Sequence, residues 1–412
     1  MIAVYHGRQR NHAPMPSDIS AGMPGLGRKA GALTFSLLFT LESLVRSLNA
    51  SVISIQAYEL LGSSRNVSIV TTLASIGVLV TTLLLPFALR RTRRRWAYTF
   101  GIAFSIAAAL FLASDTVAGQ AAGYYFRQAG ASIMNVTLSL YILDHIHKTH
   151  YARVEPQRLA FSTVSWTLGP SIGIWLYSNH GPMAPQVAVA AAALTLMAVF
   201  WYLRLADHSV LTSGTLQPFN PLKNVRRFVV QPRLRLAWAI AFGRSMFWSA
   251  LFIYGPILLL EGGLSRQQGG YLISASQIIL PVTLLAGWLG RKFSVRLVVS
   301  TSFAMIALGA LAGGSLGAAN PHVTIVLLLF AALGASGLDG VGAIPYMRAV
   351  KLRERREMTS VYRTFIEISD ILPGFVFALL LSLFPTSVVF VVVGVESLVM
   401  ALLTWRYLPR SL

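Results

Sequence analysis

The chain has 412 residues, 55% of them hydrophobic and only 12% charged, against about 25% charged in a typical soluble domain. It contains no cysteine, which excludes disulfides, thiolate metal sites and cysteine nucleophiles. The net charge of +20 would suit nucleic acid only if the basic groups formed one soluble patch, and they are dispersed along the chain instead.

Residues 1–32 are polar, with Pro14, Pro16 and Pro24, and lack a signal-peptide pattern; they predict a disordered cytosolic tail. Apolar stretches then follow near 33–58, 67–89, 96–114, 119–143, 159–178 and 184–204, a first bundle over 33–204. Residues 205–235 form the longest loop. Within it Val225, Phe228, Val229 and Val230 alternate with Lys223, Arg226 and Arg227, which fits either a short interfacial helix or a plain linker. Six more stretches, near 236–260, 270–289, 297–319, 322–346, 360–384 and 387–408, make a second bundle over 236–408, and 409–412 end the chain. Each stretch is long enough to cross about 30 Å of hydrocarbon. Backbone polar groups in lipid must pair among themselves, so the spans are helices. The expected fold class is an all-α membrane protein of twelve transmembrane helices in two pseudo-symmetric six-helix bundles.

Charge placement gives orientation. Lys and Arg crowd the N-terminal tail and alternate loops: Arg90 to Arg95, Lys148 to Arg158, Arg204 to Arg235, Arg291 to Arg296, Arg348 to Arg356, and the tail from Arg406. The intervening loops hold only Arg65 and Arg266, and four arginines fall inside spans. The positive-inside rule puts both termini in the cytosol and the chain in the inner membrane of a bacterial-type cell. Lipid headgroups are therefore its expected surroundings and nucleic acid is not a partner.

The two bundles repeat each other. Arg46-Ser47 in the first span is matched by Arg244-Ser245 in the seventh, and Gly169-Pro170 in the fifth by Pro373-Gly374 in the eleventh. Duplicated bundles with polar groups at matching depth are the layout of an alternating-access carrier. In the first span Glu42, Arg46, Asn49 and Gln56 fall within about 40° of one line, so this stripe must face protein or a polar path. A charge at mid-bilayer costs roughly 2.5–3.5 kcal/mol on insertion scales. Glu42 and Arg46, four apart, offset part of that cost by pairing. This row reads either as a solute path or as a static tie between helices. Two guanidiniums, Arg46 and Arg244, facing one cavity would grip a carboxylate, phosphate or sulfate. In the eleventh span Arg363, Glu367, Asp370 and Gly374 share a face, and Asp339 lies in the tenth. A carboxyl in apolar surroundings binds a proton readily. Glu42, Asp339, Glu367 and Asp370, with Arg363, are thus the candidates for proton coupling or for a gating ion-pair cluster.

The run Asp144-His145-Ile146-His147-Lys148-Thr149-His150 reads as solvated histidines in a basic loop rather than a metal site. Gly334, Gly337, Gly340 and Gly342 lie inside an apolar span without the preceding strand of a dinucleotide loop, and predict close helix packing or a flexible point. No cofactor and no nucleophile–base set is expected, so the chain is not read as an enzyme.

Six helices plus six, both ends inside and a basic central linker resemble the major facilitator superfamily, over about residues 30–408. The family's loop Gly-x-Leu-Ala-Asp-Arg-x-Gly-Arg-Arg is similar to Pro86 to Arg95 and, in the second copy, to Gly287 to Arg296. Arg90 and Arg291 stand where the family has aspartate. Arg127-Gln128-Ala129-Gly130 resembles the family's Arg-x-x-Gln-Gly pattern, one residue shorter. Gly169-Pro170-Ser171-Ile172-Gly173 resembles the Gly-Pro-x-x-Gly signature associated with exporters. The arginine pair is similar to the head-group site of the superfamily's organophosphate exchangers.

The resemblance implies proton-coupled efflux of a small anionic or amphiphilic solute by a monomer. Arg46, Arg244, Arg127, Asn49 and Gln56 would meet the solute, and Gly169, Pro170, Gly173, Pro373 and Gly374 would form the helix breaks. Uptake or exchange of an anionic metabolite is the alternative within this class, and a membrane receptor on a carrier scaffold the alternative outside it.

Overall fold

The computed structural model describes residues 32–145, 151–203, 221–350 and 355–409. The predicted N-terminal tail, most of the histidine run and the first part of the linker lie outside these residues. Among the described residues every regular element is a helix.

The first pass is broken into α1 (Ala32–Ser47) and α2 (Val52–Leu61). Gly62 ends it in the left-handed conformation, φ 69°, which a residue without Cβ adopts freely. Ser63 caps the next helix by accepting from the Asn66 amide at 3.2 Å. Passes two to six are α3 (Ser64–Arg91), α4 (Arg94–Ala113), α5 (Val117–His145), α6 (Tyr151–His180) and α7 (Met183–Tyr202). The linker ends in α8 (Pro221–Val230), so the helical reading of that stretch holds. Its Phe228 is buried against Tyr346 and Met358. The second half follows with α9 (Pro232–Glu261), then an eighth pass split by Pro281 into α10 (Arg266–Ile278) and α11 (Val282–Lys292). Next come α12 (Val295–Leu316), α13 (Pro321–Val341) with the short α14 (Ile344–Ala349), α15 (Arg355–Tyr362) leading into α16 (Thr364–Leu380), and α17 (Val388–Tyr407).

Nine segments among the described residues are long and apolar enough to cross a membrane. The more polar α5 and α6 and the shorter α16 complete the twelve passes. Helix pairing repeats between halves. Contacts of α4 with α5 and α7, and of α1 with α6 and α7, recur as α12 with α13 and α17, and α9 with α16 and α17. Each half buries its own apolar core, one around Phe35, Tyr98, Met134 and Phe200, the other around Phe247, Phe303, Leu328 and Phe390. Large side chains such as Leu83, Leu284 and Leu402 stay exposed on the outside, as lipid contact requires. The halves meet where α6 packs on α10, α3 on α16 and α2 on α9.

The glycines of α13 do serve packing. A Cβ at Gly334 would lie 2.5 Å from the Ser302 carbonyl oxygen of α12. Gly334→Val is therefore expected to force these helices apart and cost about 1–3 kcal/mol. A lower melting temperature of the purified protein in detergent would register it, and an unchanged one would contradict this packing.

Candidate functional site between the halves

The break in the first pass builds the site's first half. The Ala50 amide bonds back to the Ser47 carbonyl at 3.0 Å instead of continuing the helix to Arg46. The Arg46 carbonyl is thereby left for Arg127 of α5, whose Nη2 donates to it at 3.0 Å while Nη1 donates to Gln128 at 3.1 Å. Arg46 itself lies 3.9 Å from Glu42, which is fully buried, and keeps 27% of its side chain accessible. Its guanidinium sits over the Trp166 ring of α6, 5.7 Å from the centroid, and its Nε has no hydrogen-bond partner. Two guanidiniums thus lie together at the break, and one of them is loosely paired with Glu42.

The second half is arranged differently. Arg244 of α9 is ion-paired directly with Asp339 of α13. Trp248 holds the other carboxylate oxygen, its Nε1 donating at 3.1 Å, so this pair is internally satisfied. Arg244 also faces the Phe365 ring at 5.7 Å, in the place that Trp166 takes toward Arg46. Asp370 of α16 accepts from the Ser249 hydroxyl at 2.6 Å.

Aromatic rings join the two halves. Trp166 meets Phe252 of α9 edge to face, 5.7 Å between centroids and 86° between planes. Phe252 continues to Trp248 at 6.2 Å. Arg46, Trp166, Phe252, Trp248, Asp339 and Arg244 therefore form one connected layer across the seam. Toward the face away from the basic loops, a small uncharged pocket follows, lined by Ser54, Thr71, Gln120, Tyr124 and Ile253 among others.

Part of the predicted polar stripe turns elsewhere. Asn49 and Gln186 of α7 exchange amide hydrogen bonds at 2.8 and 3.2 Å, and both are buried inside the first half. Gln56 donates to the Leu112 carbonyl at 2.9 Å and to Asp115 at 2.8 Å, pinning α2 to the turn between α4 and α5. The break at 48–51 is the reason, because it resets the helical phase on which the shared-face expectation rested. Arg363 is exposed, and Asp370 is met by Ser249 rather than by Arg363. The Glu367 side chain lies outside what the structure describes.

The expected helix breaks at Gly169-Pro170 and Pro373-Gly374 do not interrupt the helices, since α6 and α16 run on through both, and the glycines serve as points of close contact instead. A Cβ on Gly169 would overlap Ser47, and one on Gly173 would overlap the Leu48 carbonyl, so α6 rests directly on the break of the first pass. On its other side Ser171 donates to the Ser274 hydroxyl of α10 at 2.7 Å. Gly374, next to Pro373, abuts Thr72 of α3 in the mirror-related seam.

Two acids that the sequence analysis overlooked close the face opposite the basic loops. Glu59, near the end of α2, accepts from Arg266 of α10 at 2.6 Å and from Tyr177 of α6 at 2.7 Å. Glu261, at the matching end of α9, accepts from Ser64 of α3 at 3.0 Å and from Thr386 at 2.7 Å. Both bridge the halves, as does the hydrogen bond between the Ser68 and Tyr254 hydroxyls. Their signal was available in the duplication, since an acid ends the first pass and the seventh alike. No group of three metal-ligating side chains occurs among the described residues.

A model of the Major Facilitator Superfamily matches residues 35–283, more than half of the chain. The chain belongs to the major facilitator superfamily. Among solved structures it is similar to a D-xylose–proton symporter, with a TM-score of 0.73 at 13% identity, covering 92% of this chain and 98% of that one. A POT family transporter in complex with 5-aminolevulinic acid gives 0.72 at 12% identity, over 90% and 94%. The nucleoside transporter NupG gives 0.67 at 14% identity, over 91% and 100%. These likenesses establish the fold. A search of curated proteins gives no match. The protein is a multi-pass membrane transporter of this superfamily, not an enzyme.

Asp339→Asn should leave Arg244 uncompensated at mid-membrane, a loss on the order of 3 kcal/mol. Melting temperature should fall, and adding Arg244→Gln should restore most of it. No recovery in the double variant would show that the pair is not the cause. For the closed face, Glu59→Gln with Glu261→Gln should loosen both bridges. Because the chain is cysteine-free, a single Ser171→Cys can report this through an impermeant maleimide added from that face. Labelling several times faster in the doubly substituted protein is the expected outcome, and an equal rate would rule out a closing role.

Proposed function

We propose that this superfamily member is a secondary carrier working by alternating access, with its basic loops and termini in the cytosol of an inner membrane. In this reading the bridges at Glu59 and Glu261 seal the outer face, and the seam opens toward the cytosol. The cargo is a small organic anion. The observation that carries this is the partly accessible Arg46, loosely paired at 3.9 Å and backed by a second guanidinium, Arg127. A carboxylate reaching Arg46 would gain charge-assisted hydrogen bonds that Glu42 does not supply in full.

Arg244 contributes less to binding than Arg46, because Asp339 already satisfies it. Asn49 and Gln56 act indirectly, by fixing the broken first pass, and Arg127 acts by holding the Arg46 backbone. For the driving ion we infer a proton carried by Asp370, which accepts from the neutral Ser249 hydroxyl rather than from an arginine. The D-xylose–proton symporter among the similar structures makes proton coupling compatible with this fold. Resemblance of Gly169 to Gly173 to the exporter signature supports exchange of outgoing solute for incoming protons. The contact of these glycines with the first-pass break gives the segment a pivot on which the halves can rock.

Counterflow of a labelled carboxylate in proteoliposomes tests the reading. Arg46→Gln should weaken apparent affinity about 10- to 100-fold, the loss of one charge-assisted hydrogen bond or more. Asp370→Asn should keep counterflow but lose accumulation driven by a pH gradient. Accumulation into vesicles with an acid interior supports exchange with protons. Accumulation from an acid exterior would overturn the export direction. Full counterflow in Arg46→Gln would overturn the anion site.

A further inference from the structure

Resting on the anion site just described, we propose that the solute is an aromatic monocarboxylate, its ring received by the Trp166, Phe252 and Trp248 surfaces beside Arg46. Charge accounting limits it to a single negative charge. Arg244 is committed to Asp339, and both Nη groups of Arg127 are committed to the Arg46 carbonyl and Gln128. The Nε of Arg46 and the Nε of Arg127 both lack a hydrogen-bond partner, and of the two Arg46 is ion-paired, loosely, with Glu42 at 3.9 Å. Two guanidiniums beside one carboxylate leave one positive charge at this place, which a single carboxylate of the solute balances and a dianion such as phosphate overshoots.

The walls beside Arg46 define the rest of the molecule. Trp166 lies under the guanidinium at 5.7 Å and meets Phe252 at 86°. Phe252 meets Trp248 at 53°, so three partly accessible rings stand at steep angles to one another instead of stacking shut. Such an arrangement presents ring faces and edges together, and a fourth planar ring entering it gains edge-to-face contacts with its neighbours. A saturated ring of equal size gains burial but not those contacts. Ring electrostatics should therefore favour the aromatic acid about 2- to 10-fold per pair formed. Ser54 reinforces the geometry by donating to the Phe252 carbonyl at 3.1 Å, which fixes Phe252 against the first half.

Thermal stabilisation of the purified full chain by benzoate, cyclohexanecarboxylate, hexanoate, inorganic phosphate and benzylamine, each titrated separately, tests the proposal. Benzoate should protect at the lowest concentration, cyclohexanecarboxylate and hexanoate at several-fold higher ones, and phosphate and benzylamine should not protect. Trp166→Leu, and independently Phe252→Leu, should bring benzoate and cyclohexanecarboxylate level, while Arg46→Gln should remove protection by all three carboxylates. Equal protection by the saturated and aromatic acids in the unaltered chain, or stronger protection by phosphate, would overturn the aromatic assignment and leave the anion site standing. Protection by benzylamine alone, or by none of the anions, would overturn the anion site and this inference with it.

Discussion

A helix interrupted in the middle of a membrane must find new partners for its exposed backbone, and much of this protein's centre follows from how the first pass does so. The turn between α1 and α2 withholds one amide from the Arg46 carbonyl, and Arg127 takes the vacancy. That single bond brings a second positive charge beside the first and fixes α5 against the break. The same turn presents the backbone of Ser47 and Leu48 to α6, where only glycine at 169 and 173 leaves room. The arginine pair and the seat of α6 are thus joined at one stretch of four residues. A continuous helix would leave the Arg46 carbonyl engaged and remove the socket on which α6 sits.

Pseudo-symmetry organises the scaffold but does not extend to the charges. Trp166 and Phe365 lie at matching distances from Arg46 and Arg244, and the two halves repeat their helix contacts. Yet Arg244 is neutralised by an acid on another helix, whereas Arg46 shares its own helix with a more distant one. Geometry explains the contrast. Glu42 could reach Arg46 from four residues away, but the Arg46 guanidinium lies over the Trp166 ring and stays 3.9 Å from that carboxylate. An acid on a neighbouring helix can be brought into full contact by packing. Duplication supplied two equivalent arginines, and their different partners leave one loosely and the other tightly paired.

Much of the fold was legible in the sequence because its determinants are local and one-dimensional. Span lengths follow from bilayer thickness, whereas the split of the eighth pass at Pro281 was not anticipated, that stretch having read as one continuous span. The amphipathic pattern in the linker resolved into α8, with Phe228 turned inward. The site was legible in its charged members, since an arginine inside an apolar span stands out wherever it points. Direction was not legible. Asn49 and Gln56 share a line with Arg46 only on an unbroken helix, and nothing in the residues 48–51 announces a break. Glu59 and Glu261 were passed over for the opposite reason. They sit at span ends, where an acid looks like ordinary solvated surface, and only their cross-seam partners, Arg266 and Ser64, show otherwise. The Trp166–Phe252 contact joins residues from different halves, which no local pattern encodes.

The fastenings at Glu59 and Glu261 are made of carboxylates, hydroxyls and one exposed guanidinium. Every one of these groups bonds to water about as well as to its present partner. Parting the halves there exchanges protein partners for solvent instead of stranding polar atoms in oil. The two end states can then lie near each other in free energy, separated mainly by the apolar contacts that must slide. A carrier needs such near-equality, because a conformation much deeper than its counterpart would trap the cycle after one turn.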